Sequence, residues 1–288
     1  MPHTITEAFA LLGAGLAAGT INTVVGSGTL ITFPTLLAFN YPPVLANVSN
    51  NVGLVPGVFS GVHGYRAELR GQRERATVLG AASVCGGLVG AILLLVLPAS
   101  AFKAIVPALI GVALVMVVVQ PWLARWVAAR QRERPAAGRP GDGCQSSGQG
   151  GAGGRGRAGG RGRAGGRWGS DTGVGPVLWL LVFCTGIYGG YFGAAQGVLL
   201  IGLLGVALND GLQRVNALKN VLAGLVNGVA AIVFIAFSHV AWGAAALIAV
   251  GSVLGGQVGA RVGRRLEPWA LRLLIICVGT AALAKLLV

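Results

Sequence analysis

The stretch "NTVVGSGTLITFPTLL", residues 22–37, places small and polar residues inside an otherwise apolar run. That run extends over residues 8–39, and a second run of similar length covers residues 174–208. As a straight helix, each would measure roughly 45–50 Å, whereas the hydrocarbon core of a bilayer is about 30 Å thick. We therefore predict that each long run is a broken or re-entrant element, and that Gly26, Ser27 and Gly28 mark the first break.

The composition places the chain in a lipid bilayer. Of its 288 residues, 54% are hydrophobic and 10% are charged, and the mean hydropathy is +0.75. This is too little polar surface to coat a soluble protein of that size. We predict an all-α membrane protein with about eight transmembrane elements, formed by residues 8–39, 44–62, 77–97, 104–119, 174–208, 221–237, 241–259 and 271–288.

A basic, glycine-rich segment separates the first four elements from the last four. Residues 123–172 hold ten arginines against three acidic residues, which contributes +7 to the formal net charge of +14. With few apolar residues the segment cannot form a core, so we predict a disordered linker. Its RGR repeats are similar to RNA-binding tracts, but the positive-inside tendency already accounts for an arginine-rich cytoplasmic loop. No nucleic acid partner is expected.

The two halves of the chain resemble each other at an offset of 169 residues. The sequence "SVCGGLVGA", residues 83–91, matches "SVLGGQVGA", residues 252–260, at seven of nine positions. The same offset aligns two further motifs: Gly28 with Gly197, Asn47 with Asn216, and Asn51 with Asn220. One offset shared by three separated motifs indicates a duplicated half.

Basic residues fall in different loops of the two halves. In the first half they follow the second element: Arg66, Arg70, Arg73 and Arg75. In the second half Arg214 and Lys219 precede the sixth element, and Arg261, Arg264 and Arg265 follow the seventh. If these loops are cytoplasmic, equivalent loops of the halves face opposite sides of the membrane. We therefore predict two inverted four-element repeats, with both termini outside and the first element of each repeat returning to its own side.

Polar residues cluster at equivalent positions of the two repeats. Near the first break they are Asn22, Ser27, Asn47, Asn50 and Asn51; in the second half they are Gln196, Asn216, Lys219 and Asn220. Irregular backbone at membrane depth requires a cavity or protein partners. Amide groups and the free N–H groups of a helix end suit an anion, and Lys219 adds positive charge. The pattern indicates anion recognition.

Other interpretations of these residues remain open. Asn and Ser often hydrogen-bond neighbouring membrane helices, and Lys219 could be a cation at the cytoplasmic edge. No enzymatic motif such as HExxH or GxSxG occurs, and we expect no catalytic residue, cofactor or metal. The acidic residues considered, Glu68, Glu74, Asp210 and Glu267, fall in predicted loops, so a coupling proton or sodium ion cannot be assigned.

The residues also carry a family resemblance. The segments "NTVVGSGTLITFPTLL", "ANVSNNVGLVPGVFSGVHGYRAEL", "GIYGGYFGAAQGVLLIGLL" and "LQRVNALKNVLAGLVNGVAAIVFI" resemble the sulfite exporter TauE/SafE family. The resemblance implies a permease of the bacterial plasma membrane for sulfite, sulfoacetate and related sulfonates. Carried over by position, it implies a substrate site at Gly26, Ser27, Gly28, Asn47, Asn51, Gln196, Gly197, Asn216 and Asn220.

The expected organisation is a first membrane repeat over residues 1–122, a cytoplasmic linker over 123–172 and a second repeat over 173–288. The partners expected are a small anion and the lipid bilayer, and a homo-oligomer is possible. An alternative function is a membrane-embedded assembly or regulatory protein that uses the basic linker to engage a cytoplasmic partner or acidic lipid. Deletion of residues 139–167 distinguishes the two functions.

Overall fold

The computed structural model describes residues 4–133, 174–208 and 210–262, together with Cys277 and Thr280. These residues form nine α-helices and, within the described part, no strand. The helices are α1 (Ile5–Val24), α2 (Thr29–Ala38), α3 (Pro43–Gly64), α4 (Arg73–Val96), α5 (Ala99–Glu133), α6 (Pro176–Tyr191), α7 (Gln196–Ala207), α8 (Leu212–Phe237) and α9 (Trp242–Val262).

The outer surface of the helices is apolar, as a bilayer requires. Large apolar side chains are exposed on the outer surface, for example Ile232 at 69% and Phe237 at 79%. By length and composition, α1, α4, the first part of α5, α8 and α9 can each cross a membrane. Helices α2, α6 and α7 are apolar but shorter. The all-α membrane class is confirmed, whereas the total of eight elements stays a prediction.

Each long apolar run is divided into two helices. Helix α1 ends at Val24 and α2 begins at Thr29, and α6 ends at Tyr191 and α7 begins at Gln196. Gly26 has a φ of 91° and Ala195, 169 residues further on, has a φ of 60°. Left-handed backbone ends a right-handed helix, so both connections turn at equivalent positions. The predicted break at residues 26–28 is confirmed. Pro34 lies inside α2 and does not end it.

Several helix boundaries differ from those predicted, most of all in α4, α5 and α8. Helices α4 and α8 begin at Arg73 and Leu212, so both include basic residues that had been assigned to loops. Glu74 likewise lies in the first turn of α4. At these helix ends Asp210 pairs with Arg75 and with Arg214, which compensates part of the basic charge. Helix α5 continues to Glu133, into the segment assigned to the linker; residues 134–173 lie outside the described residues, as does nearly all of the run 271–288.

Small residues allow close packing between the halves. Helix α9 packs along α1 and α3, and α4 packs along α6 and α8. A Cβ atom on Gly15 of α1 would lie 2.7 Å from the carbonyl oxygen of Ile248, and one on Gly186 of α6 would lie 3.0 Å from that of Ser83. Glycines at such contacts let helix backbones approach in a membrane. The glycine pairs of the sequence therefore serve helix packing.

Helices α3 and α8 cross the centre of the molecule in opposite directions. Asn51, near the start of α3, donates a hydrogen bond to Asn227 Oδ1, in the second half of α8, at 3.3 Å. Tyr65, which directly follows α3, belongs to the same buried cluster as Ala217, near the start of α8. Equivalent helices of the two halves thus pack antiparallel, and each lies beside the helix break of the other half.

Candidate functional site

Three side chains of α8 hold the C-terminal end of α1. Asn216 and Asn220 each donate an amide hydrogen bond to the carbonyl oxygen of Thr23 at 3.3 Å. The ammonium of Lys219 donates to the carbonyl oxygens of Asn22 at 3.1 Å and of Thr23 at 3.4 Å. The last carbonyls of a helix lack intrahelical partners. The second repeat therefore supplies the missing partners of the first break.

The reciprocal contact is made by α3. Asn47 donates its amide to the carbonyl oxygen of Tyr191, the last residue of α6, at 3.0 Å. Asn47 and Asn216 are 169 residues apart, and each binds the end of the broken helix in the opposite half. Both predicted asparagines are therefore placed at a break, and in each case it is the break of the other repeat.

The two breaks touch each other. The backbone N–H of Gly197, in the first turn of α7, donates a hydrogen bond to the carbonyl oxygen of Gly26 at 3.2 Å. A Cβ atom on Gly197 would lie 2.5 Å from the Cα of Gly26, so neither position has room for a side chain. The predicted site residues Ser27 and Gln196 are the chain neighbours of these two glycines, which places both at the junction of the breaks.

The junction of the two breaks holds unpaired polar groups. Ser27 is 0% exposed and Gln196 is 3% exposed, and neither Ser27 Oγ nor Gln196 Nε2 has a hydrogen-bond partner among the residues that the structure describes. The backbone N–H groups of Ser27 and Gly28 also have no protein acceptor. A buried polar group without a partner costs about 1–3 kcal/mol. Because helices α2 and α7 begin here, their positive ends add to a set of donors that suits an anion.

Lys219 lies at the same junction. It is 0% exposed, and a Cβ on Gly197 would lie 3.1 Å from its Cδ. Its side chain thus runs past the start of α7 to reach the end of α1. The interpretation of Lys219 as a cation at the cytoplasmic edge is wrong, because its charge is compensated inside the protein by the carbonyls of α1.

The remaining predicted residues have other partners. Asn50, equivalent to Lys219 in the first repeat, donates to Thr29 Oγ1 at 3.4 Å and accepts from Thr32 Oγ1, so it holds α2 of its own half. Asn51 binds Asn227 on α8. The half-buried Asn22 accepts the hydrogen bond of Lys219 with its backbone oxygen. These residues position the helices around the junction.

A carboxylate near the start of α1 was not among the acidic residues considered in the sequence. Glu7 is 3% exposed and accepts a hydrogen bond from the hydroxyl of Tyr41 at 2.8 Å. Burial, the hydrogen bond to Glu7 and its charge raise the pKa of Tyr41 to about 12, so the phenol stays protonated and can donate. The sequence feature that could have indicated this buried carboxylate is an acidic residue directly before an apolar run.

The junction is closed to solvent in this structure, although the sequence predicted a cavity there. Two cavities lie elsewhere. One of about 520 Å³ lies where α3 and α9 end and is lined by His63, Arg66, Gln257 and Arg261, among others. The other, of about 420 Å³, is mostly apolar and lies between α4, α5 and α6. The described conformation therefore encloses the residues of the two breaks.

These features define a multi-pass helical membrane protein in which two interrupted helices contact each other at their breaks. The family model described as Sulfite exporter TauE/SafE matches residues 11–286. The chain belongs to this family of membrane transporters. Comparison with curated proteins and with solved structures finds no significant match in either.

Proposed function

We propose that the protein carries small anions across the membrane and binds them where the two helix breaks meet. The observation that carries this proposal is the contact of Gly197 with Gly26, flanked by the unpaired Ser27 Oγ and Gln196 Nε2. Discontinuous helices that meet between two repeats are typical of substrate sites in secondary transporters. The buried Lys219 and the starts of α2 and α7 give this site a positive potential.

The mechanism that we propose is alternating access between two inverted repeats. The starts of α3 and α8 are 169 residues apart, as are those of α4 and α9. If each helix is replaced by its equivalent in the other repeat, the contact of α1 with α9 becomes that of α6 with α4. The contact of α3 with α9 likewise becomes that of α8 with α4, and all four contacts are present. The antiparallel crossing of the equivalent helices α3 and α8 supports the inversion. Rocking of one repeat against the other would then open the junction to either side.

The substrate class that we propose is sulfite, sulfoacetate and related sulfonates. Each carries a sulfur-bound set of oxygens that accept several hydrogen bonds at once. The junction offers matching donors in the Ser27 hydroxyl, the Gln196 amide and the backbone N–H groups of the first break. Charge-assisted hydrogen bonds of this kind are stronger than neutral ones. The family supports a sulfur oxyanion as the first compound to test.

For the orientation, we propose that the linker and the basic helix ends face the cytoplasm of a bacterial cell. Arg75, Asp210 and Arg214 join the α3–α4 and α7–α8 connections at one end of the molecule. The arginine-rich linker lies on the same side if positive loops stay inside. The orientation that we propose has the basic surface toward the cytoplasm, in the plasma membrane.

Uptake of ³⁵S-labelled sulfite into proteoliposomes tests the proposed function. Vesicles with the purified protein should accumulate label faster than protein-free vesicles, and unlabelled sulfoacetate should compete. Inorganic cations should not move. Vesicles that take up none of these anions while they conduct cations would contradict an anion carrier.

The same assay tests the alternative role through the linker. Deletion of residues 139–167 removes most of the basic segment but none of the residues at the junction. Transport should therefore keep its wild-type rate. A deletion that leaves the protein folded and abolishes transport would favour an assembly or regulatory function.

A further inference from the structure

The C-terminal end of α1 has the chemistry of a cation site. Its last carbonyl oxygens lack intrahelical partners, and the helix dipole gives this end a partial negative charge. In membrane carriers with interrupted helices, such ends and the unwound carbonyls beside them coordinate Na⁺. Here the carbonyl oxygens of Asn22 and Thr23 are already bound, at 3.1 and 3.4 Å, by the ammonium of Lys219.

No carboxylate compensates this ammonium among the residues that the structure describes. Lys219 forms no ion pair there, whereas Asp210 is bound to Arg75 and to Arg214. Glu7 binds Tyr41 near the opposite end of α1. Lys219 is 0% exposed, so water does not solvate it either. The carbonyl oxygens of α1 are therefore its main compensating groups.

The amides around Lys219 close the rest of this end. Asn216 and Asn220 both donate to the carbonyl oxygen of Thr23, so this oxygen has three donors around it. A sodium ion needs several oxygen ligands at once. Here the donor groups of α8 occupy the position beside the Thr23 oxygen where such an ion would bind. A free cation could bind here only if the side chain of Lys219 left.

We propose that Lys219 is a tethered counter-cation that takes the place of a coupling sodium ion at the break of α1, so that anion transport needs no sodium. The proposal rests on the proposed function and assigns the charge compensation of the same site. The ammonium lies beside the junction because its alkyl chain passes Gly197, where a Cβ atom would come within 3.1 Å of Lys219 Cδ. A bound anion and Lys219 would then share one enclosed, nearly neutral site.

The two repeats differ in this respect. The equivalent position in the first repeat is Asn50, which binds Thr29 and Thr32 of α2 instead of the end of a helix. At the end of α6, the carbonyl oxygen of Tyr191 is bound by the neutral amide of Asn47. One repeat thus supplies a charge and the other does not, which gives the junction a single tethered cation. A single positive charge matches a singly charged sulfonate group.

The test compares ³⁵S-sulfite uptake into proteoliposomes in sodium and in choline media. We expect the wild-type rate to be the same in both. Lys219→Ala should be at least about tenfold slower in choline, because the positive charge beside the anion site is lost, and sodium should partly restore the rate by occupying the vacated carbonyls. Lys103→Ala, which removes an exposed lysine of α5, is the matched control and should transport like the wild type.

The outcomes separate this inference from the proposed function. A wild-type protein that transports sulfite only with sodium would overturn the inference and leave the anion carrier intact. So would a Lys219→Ala protein that keeps the wild-type rate in choline, or one whose residual rate is the same in both media. Absence of anion uptake by the wild type in either medium would instead overturn the proposed function. The comparison of wild-type uptake in sodium and in choline media tests the inference even if the Lys219→Ala protein does not fold.

Discussion

Replacement of Gly197 by alanine tests the contact between the two helix breaks. The new Cβ atom would lie 2.5 Å from the Cα of Gly26 and 3.1 Å from the Cδ of Lys219. Carbon atoms pack at about 3.5–4.0 Å, so the first connection must move by about 1 Å. Overpacking of this kind costs about 1–3 kcal/mol. This corresponds to about a five- to 150-fold smaller population of the state in which the breaks touch.

We expect the KM for sulfite uptake by the Gly197→Ala protein to rise by a factor in this range, because the anion needs donors from both breaks. Initial rates in proteoliposomes, measured over a series of sulfite concentrations, give the KM. Gly13→Ala is the matched control: Gly13 lies on the exposed face of α1 and no atom lies within 4 Å of its Cβ position. A folded Gly197→Ala protein with the KM of the wild type would refute the shared site.

Two further predictions concern the ends of the helices. Asp210→Asn removes the partner of Arg75 and of Arg214. Because both pairs are partly exposed, we expect the free energy of unfolding to fall by only about 0.4–2 kcal/mol in total. This should appear as a small drop in melting temperature that high salt reduces. Cysteines introduced at Arg73 and at Arg264 should both react with a membrane-impermeant thiol reagent from the cytoplasmic side, and labelling of the two from opposite sides would contradict the inverted repeats.

The first helix break could be predicted because its causes are local. Glycine and serine at 26–28 occur in a run too long for one crossing, and the structure ends α1 at Val24. The second break has two left-handed residues, Gly193 with a φ of 76° and Ala195 with a φ of 60°, and the residue equivalent to Gly26 is Ala195 rather than a glycine. Non-glycine residues adopt this conformation only where the surroundings impose it. The repeat, rather than local composition, located this break.

The partners of the site residues could not be predicted, since they come from the opposite repeat. Asparagines at equivalent positions indicated a site, but not that Asn216 would bind the end of α1 and Asn47 the end of α6. The apolar runs of the sequence predicted Lys219 and Arg214 in the loop before the sixth element, residues 221–237. Both lie inside α8: carbonyl oxygens of α1, distant in sequence, compensate Lys219, and Asp210, four residues before Arg214, pairs with Arg214.

The affinity of the purified protein for sulfite, measured by isothermal titration calorimetry, tests the central claim most directly. Ser27→Ala and Gln196→Ala should each weaken binding by about ten- to a hundredfold, which is the effect of losing one hydrogen bond to a charged ligand. Their melting temperatures should stay near that of the wild type, because neither Ser27 Oγ nor Gln196 Nε2 has a protein partner to lose. Ser83→Ala, at another buried and unpaired hydroxyl, should leave the affinity unchanged. Wild-type affinity in both junction variants, together with lowered melting temperatures, would contradict an anion site at the junction of the two breaks.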